Sequence, residues 1–194
     1  MKRIVLVLAC IGLAVGHAQA QPVPSGDIAV AAAKCQACHD APGRSAAPRL
    51  NGQHAAYILT RLREFHDPAS QTPAATHAMW DMSSSIGAKK AEALAEFFSQ
   101  QTPTPAHGSG ALARKGKQFY ESGDGIGPAC QTCHGAQGEG KGAIPRLAGQ
   151  HNLYLSRQLA SFGLMVRFHA TMSGPARPLS DEQVQAVVSY LGGD

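Results

Sequence analysis

The chain has 194 residues, with 17 Lys and Arg against 13 Asp and Glu, and five cysteines. Its basic residues are scattered rather than clustered, which excludes a nucleic-acid footprint. The formal charge of +4 overstates the mature protein, because Lys2 and Arg3 fall in a segment expected to be removed.

That segment is residues 1–20. Two basic residues precede an apolar run from Ile4 to Val15, and Ala18-Gln19-Ala20 supplies the small-x-small pattern of a signal-peptidase site. The run is about a dozen residues, short of the roughly 20 that span a bilayer. An export signal cleaved after Ala20 is therefore expected, with Cys10 discarded and the mature chain periplasmic. The 17 basic residues less Lys2 and Arg3 leave 15 against 13 acidic, a net charge of +2. No later apolar run is long enough to cross a membrane, so no integral membrane segment is expected after the signal is removed.

Ala29 to Cys35 reads as an opening helix and leads into Cys35-Gln-Ala-Cys38-His39. Positions i, i+3 and i+4 share one face of a helical turn, so both sulfurs and the imidazole meet one planar ligand there. A disulfide has no use for the following His, whereas covalent haem attachment requires it. The two thiols form thioethers to the porphyrin and His39 binds the iron. Zinc would need a second Cys pair about 15–20 residues on, and thioredoxin-like redox chemistry does not call for the His.

Pro48 stands where its carbonyl could fix the His39 ring, and Arg49 and Tyr57 are candidate contacts for haem propionates. Ile58, Leu62 and Phe65 then recur at helical spacing. His66 to Ala78 contains Pro68 and Pro73 and reads as loop. Met79 follows as candidate distal ligand, with Met82 and His77 as nearby alternatives and Trp80 expected beside the first haem. Ala91, Leu94, Ala95 and Phe98 line a last helix, which closes a first domain at residues 21–102.

Gln101 to Gly110 is rich in Pro and Gly, and the linker is placed at 103–110. The second domain, 111–194, repeats the first. Leu112 to Tyr120 is its opening helix, and Cys130-Gln-Thr-Cys133-His134 is its haem motif, 95 residues after the first. Ile144-Pro-Arg-Leu-Ala-Gly-Gln-His-Asn-Leu-Tyr154 matches Ala47-Pro-Arg-Leu-Asn-Gly-Gln-His-Ala-Ala-Tyr57 at an offset of 97. Pro145, Arg146 and Tyr154 thus repeat the roles set out for Pro48, Arg49 and Tyr57.

Leu155, Leu159 and Phe162 continue the helical pattern, with Met165 expected as packing. Met172 lies eight residues before Ser180 and Met79 eight before Gly87, so one offset of 93 relates both candidate distal ligands. Ser180-Asp-Glu-Gln183 opens the last helix as a capping box, with Val184, Val187, Val188 and Leu191 on its inner face. His54 and His151 are expected at helix starts, and His66, His107 and His169 facing solvent.

Strand patterns are nearly absent, so the fold class is all-α. With two Cys-x-x-Cys-His motifs, a Pro-Arg-Leu-x-Gly-Gln-His stretch after each and a Met before each last helix, the chain resembles the cytochrome c4 family. That resemblance covers nearly all of the mature chain. It implies two tandem class I cytochrome c domains about a pseudo-twofold axis, each with one covalent heme c, their propionate edges facing each other. It also implies His/Met ligation, here His39 with Met79 and His134 with Met172. One departure is Met79-Trp-Asp-Met82-Ser-Ser-Ser85, which lacks the prolines present in the second half as Pro175 and Pro178.

The expected function is electron transfer rather than catalysis. The expected partners are a quinol-oxidising cytochrome complex as donor and a terminal oxidase as acceptor. The alternatives are a catalytic di-haem peroxidase or sulfur-compound dehydrogenase, and an electron-transfer subunit of a larger dehydrogenase.

Overall fold

The computed structural model describes residues 26–40, 45–65, 77–123, 125, 127–177 and 179–194. The signal segment and its cleavage site lie outside them. Among the described residues, four helices belong to the first half: α1 (Gly26–His39), α2 (Ala55–Glu64), α3 (His77–Ser84) and α4 (Ala88–Ser99). Five belong to the second: α5 (Gly110–Ser122), α6 (Gln131–His134), α7 (Asn152–Gly163), α8 (Ser173–Ala176) and α9 (Asp181–Leu191). Among the described residues there is no strand beyond two isolated bridges, Lys141 with Ile144 and Gln150 with Gly192. The class is all-α, and no described helix is long and apolar enough to cross a membrane.

The repeat seen in the sequence is also a repeat of structure. α2 and α7 start 97 residues apart, α4 and α9 start 93 apart, and the same backbone bond recurs in each half. Gly52 N–H donates to the Phe98 carbonyl at 2.8 Å, and Gly149 N–H to the Leu191 carbonyl at 2.7 Å. Both glycines are left-handed, at φ 70° and 77°. A Cβ on Gly149 would collide with the Thr104 carbonyl, so the turn requires glycine on two counts. Each turn seats the Pro-Arg-Leu segment on the end of the last helix.

The opening helices differ from the expected pattern. α1 does not end at Cys35 but runs through the haem motif to His39. Nothing in Ala29-Val-Ala-Ala-Ala-Lys interrupts a helix, and alanine is the strongest helix former. In the second half Gly123 takes φ 68° and ends α5, its N–H closing on the Phe119 carbonyl. The motif there is a separate short helix, α6. α3 was not anticipated: its first two residues, His77 and Ala78, fall in the segment expected as loop, whose remainder lies outside the described residues.

Each half has its own small core. Ala32, Ile58, Leu94, Ala95 and Phe98 form the first, and Tyr120, Leu155, Val187, Val188 and Leu191 the second. All of these except Ala32 and Tyr120 belong to the apolar faces read from helical spacing. The α9 capping box is present, with Gln183 N–H donating to Ser180 Oγ and Ser180 N–H to Gln183 Oε1. α5 crosses α9 closely because Gly116 has no side chain, and a Cβ there would overlap the Ala186 carbonyl. Since backbone rather than a mobile side chain would have to yield, Gly116→Ala is expected to destabilise the second domain by about 1–3 kcal/mol. Thermal unfolding checks this, with a melting temperature within error of wild type counting against it.

The halves meet through two glutamines in a reciprocal pattern. Gln53 Nε2 donates to the Arg146 carbonyl at 3.0 Å, and its Oε1 accepts the Arg146 N–H at 2.9 Å. Gln150 does the same to Arg49, at 3.0 Å to the carbonyl and 2.7 Å from the N–H. Both glutamines are buried. The repeated Pro-Arg-Leu-x-Gly-Gln stretch is therefore where the domains hold each other, about a local twofold.

Candidate haem-binding sites

α1 carries Cys35, Cys38 and His39 on consecutive turns. Cys130, at the N-terminal end of α6, carries the second set with Cys133 and His134. None of these four cysteines forms a disulfide, and Cys38 and Cys133 are exposed. Burial pushes the Cys35 thiol up, opposite to the lowered value that marks a redox-active Cys-x-x-Cys.

Both histidines are buried, at 7% and 5% exposure. Burial lowers the pKa of each, against the raising effect of a proline carbonyl, so the imidazoles are held neutral. His39 Nδ1 donates to the Pro48 carbonyl at 2.6 Å and His134 Nδ1 to the Pro145 carbonyl at 3.1 Å. With Nδ1 committed, Nε2 is the nitrogen left to bind iron, and its tautomer and direction are set. Tyr120 adds a further restraint in the second half: it is fully buried, and its hydroxyl donates to the Gly135 carbonyl just after the motif at 2.6 Å.

Met79 lies in the first turn of α3 and Met172 directly before α8, both half-buried. Met82 and Trp80 are each 41% exposed, so Met79 is the more inward methionine of α3. Met165 is not packing. It sits at φ 59°, the left-handed region, and is 43% exposed within a surface run that includes Leu164, Val166 and Phe168.

The four candidate propionate residues divide differently from expectation. Arg49 is committed across the interface: its guanidinium donates to the Gly149 carbonyl at 2.7 Å, the Gly193 carbonyl at 3.4 Å and Asp194 Oδ1 at 2.9 Å. Arg146 has a buried Nε with no protein partner, which suits an absent acidic group. Tyr57 and Tyr154 lie near each other across the halves, and burial, with the neighbouring Tyr57, pushes the Tyr154 hydroxyl up.

Around those tyrosines lies a cationic cluster that the sequence reading missed. Arg61 pairs with Glu64 and lies 5.0 Å over the Phe65 ring, while Arg167 lies 4.5 Å over Phe162 and 3.6 Å from the same Glu64. Burial and the charge of Arg167 push Arg61 down. Two guanidiniums on one carboxylate leave surplus positive charge at the interface, which favours anionic groups there. Nothing in the repeat flagged the pair, because Gln158 occupies the position equivalent to Arg61 and instead accepts from Arg167 at 2.6 Å.

His54, His151 and His107 fall as expected, with two additions. His54 and His151 are N-caps of α2 and α7, yet each ring also bonds: His54 Nε2 with the Glu139 carbonyl at 2.8 Å, His151 Nδ1 with Asp194 Oδ1 at 2.7 Å. His107 is exposed, and His66 lies outside the described residues. His169 is exposed as a residue, but its ring is engaged beside Met172. Paired sulfurs, oriented neutral imidazoles, inward methionines and an acceptor-seeking Arg146 together fit one haem c in each half.

Comparison with known proteins agrees. Residues 113–193 match the family model for cytochrome c. The chain is 33% identical to the cytochrome c4 of Azotobacter vinelandii, over 99% of this chain and 98% of that protein. It is 41% identical to the thiosulfate dehydrogenase electron acceptor of Stutzerimonas stutzeri strain A1501, over 83% of this chain and 79% of that protein. The structure of cytochrome c4 from Acidithiobacillus ferrooxidans superposes with a TM-score of 0.76 at 32% identity, covering 83% of this chain and 99% of the other.

Proposed function

The chain belongs to the cytochrome c4 family of di-haem electron-transfer proteins with covalent haem c, and from that premise we propose that it is a periplasmic relay rather than an enzyme. The observation that carries this reading is that both halves repeat the same arrangement of residues. Each has a Cys-x-x-Cys-His turn, a ring fixed by a proline carbonyl and an inward methionine at the equivalent position. Bound haem c supplies a one-electron iron couple.

The chain's own residues hold that couple still. Cys35, Cys38, Cys130 and Cys133 would hold haem through thioethers, His39 and His134 would bind iron through Nε2, and Met79 and Met172 would serve as the second protein ligands. A methionine partner raises the potential and leaves no coordination site for substrate. Arg146, whose Nε is buried without a protein partner, would donate to a propionate. Arg61 and Arg167 hold positive charge between the two sites, which lowers the cost of burying propionates there. The reciprocal glutamines keep the separation of the sites fixed, as relay between them needs.

The proposed route takes electrons from a quinol-oxidising cytochrome complex to a terminal oxidase, with residues 1–20 directing export. A second reading concerns the donor: the 41% identity to an electron acceptor of thiosulfate dehydrogenase favours a sulfur-compound dehydrogenase in that place. Stopped-flow mixing of the oxidised protein with thiosulfate and a purified thiosulfate dehydrogenase tests both readings. Reduction of both haems only when the dehydrogenase is present supports a carrier with that donor. Reduction by thiosulfate alone would make the chain itself catalytic. No reduction in either case, with rapid oxidation of the reduced protein by a terminal oxidase, returns the donor role to the quinol-oxidising complex.

A further inference from the structure

We infer that His169 and Ser173 form a positioning clasp that holds the Met172 loop closed, making the second haem harder to open than the first. The inference rests on the proposed role of Met172 as distal ligand. His169 Nδ1 accepts from two consecutive backbone N–H groups, those of Thr171 and Met172, each at 3.3 Å. Its own N–H donates to Ser173 Oγ at 3.0 Å, and the Ser173 N–H returns to the His169 carbonyl at 2.9 Å. Ser173 is 4% exposed, and its hydroxyl reaches back to the Arg167 carbonyl at 3.5 Å.

The His169 ring is anchored in turn. It meets the buried Phe162 edge-on, with centroids 6.4 Å apart, and Arg167 lies over that same ring. Residues 167–173 are thus closed on themselves and pinned to α7, with Met172 inside the closure. A loop so closed resists swinging its methionine away, because opening breaks several hydrogen bonds at once.

The first half lacks this pair of residues in its sequence. At the offset of 93 that relates Met79 to Met172, His169 corresponds to Thr76 and Ser173 to Trp80. Threonine lacks the imidazole that spans both N–H groups, and tryptophan lacks the small hydroxyl. The first half therefore lacks the residues for the same clasp, although Met79 and Met172 correspond in the repeat.

Titration of the ferric protein with imidazole tests this, following loss of the near-infrared methionine-to-iron band. Wild type should lose its two bands in two steps, the first haem opening at lower imidazole. His169→Ala should move the second step to lower imidazole by on the order of tenfold, as loss of two weak hydrogen bonds implies, and leave the first step in place. His169→Asn, whose amide oxygen accepts the same N–H groups, should restore much of the difference. Ser173→Ala should shift the second step in the same direction, and it decides the matter if His169→Ala does not retain its haem.

Unmoved second steps in both variants would overturn the clasp. Met172→Ala separates the two levels of inference. If it keeps both bands, the ligand assignment itself fails. If it removes one band while the His169 and Ser173 variants stay silent, only the clasp fails.

Discussion

Met79→Ala should abolish one of the two near-infrared methionine-to-iron bands, while Met82→Ala should leave both. The two side chains are three residues apart on α3 and so share a face. Burial separates them: Met79 is half-buried, whereas Met82 is 41% exposed. The repeat separates them again, since only Met79 stands at the offset that reaches Met172.

Near the far end of α3, Ser83 is 1% exposed, and its hydroxyl donates within the helix to the Trp80 carbonyl at 3.2 Å. Loss of the methionine should also lower the potential of that haem by on the order of 0.1 V, a modest part of the roughly 0.8 V that axial ligands command. Absorption spectroscopy with a redox titration of each variant checks both effects. Loss of a band in Met82→Ala and not in Met79→Ala would make Met82 the ligand and place Met79 in the packing.

Both haem motifs, the helical class and the repeat were legible in the sequence because each is local. A Cys-x-x-Cys-His turn lies within five residues, and an apolar helix face within eleven. The capping box at Ser180 is local too, and it is present. What escaped is what depends on the other half. Arg49 looked like a propionate contact because its repeat mate does, but its guanidinium meets Gly149, Gly193 and Asp194, all at least 100 residues away. Gln53 and Gln150 were visible as repeated letters, yet only the pairing of the domains gives their side chains a use. The Arg61, Arg167 and Glu64 cluster brings together three residues whose repeat positions do not match, so no pattern marks it. Met165 was misjudged for a local reason: the chain leaves α7 through a left-handed residue, which turns that side chain outward.

The reciprocal interface gives the second large effect. Gln53→Ala removes two bonds to the Arg146 backbone, and Gln150→Ala removes two to the Arg49 backbone. Each leaves backbone polar groups without partners in a largely buried setting, which costs about 1–3 kcal/mol apiece. In the double variant the domains should lose their common unfolding transition. Calorimetry should then resolve two transitions where wild type gives one, and electron exchange between the haems should slow.

Asp194 makes this interface sensitive to acid. Burial alone would raise its pKa, but His151, the Asn152 N–H and Arg49 together hold it below the ordinary value. A carboxyl depressed on folding contributes stability above its unfolded value of about 3.9, and that contribution is lost as pH falls through the folded value. The coupling of the domains should therefore weaken below about pH 4, and Asp194→Asn should flatten that acid limb while lowering stability at neutral pH. Calorimetry from pH 7 down to pH 3 on wild type, the double glutamine variant and Asp194→Asn compares the three. A single transition in the double variant would show that the glutamines do not couple the domains. Identical acid limbs in wild type and Asp194→Asn would remove Asp194 from the tie.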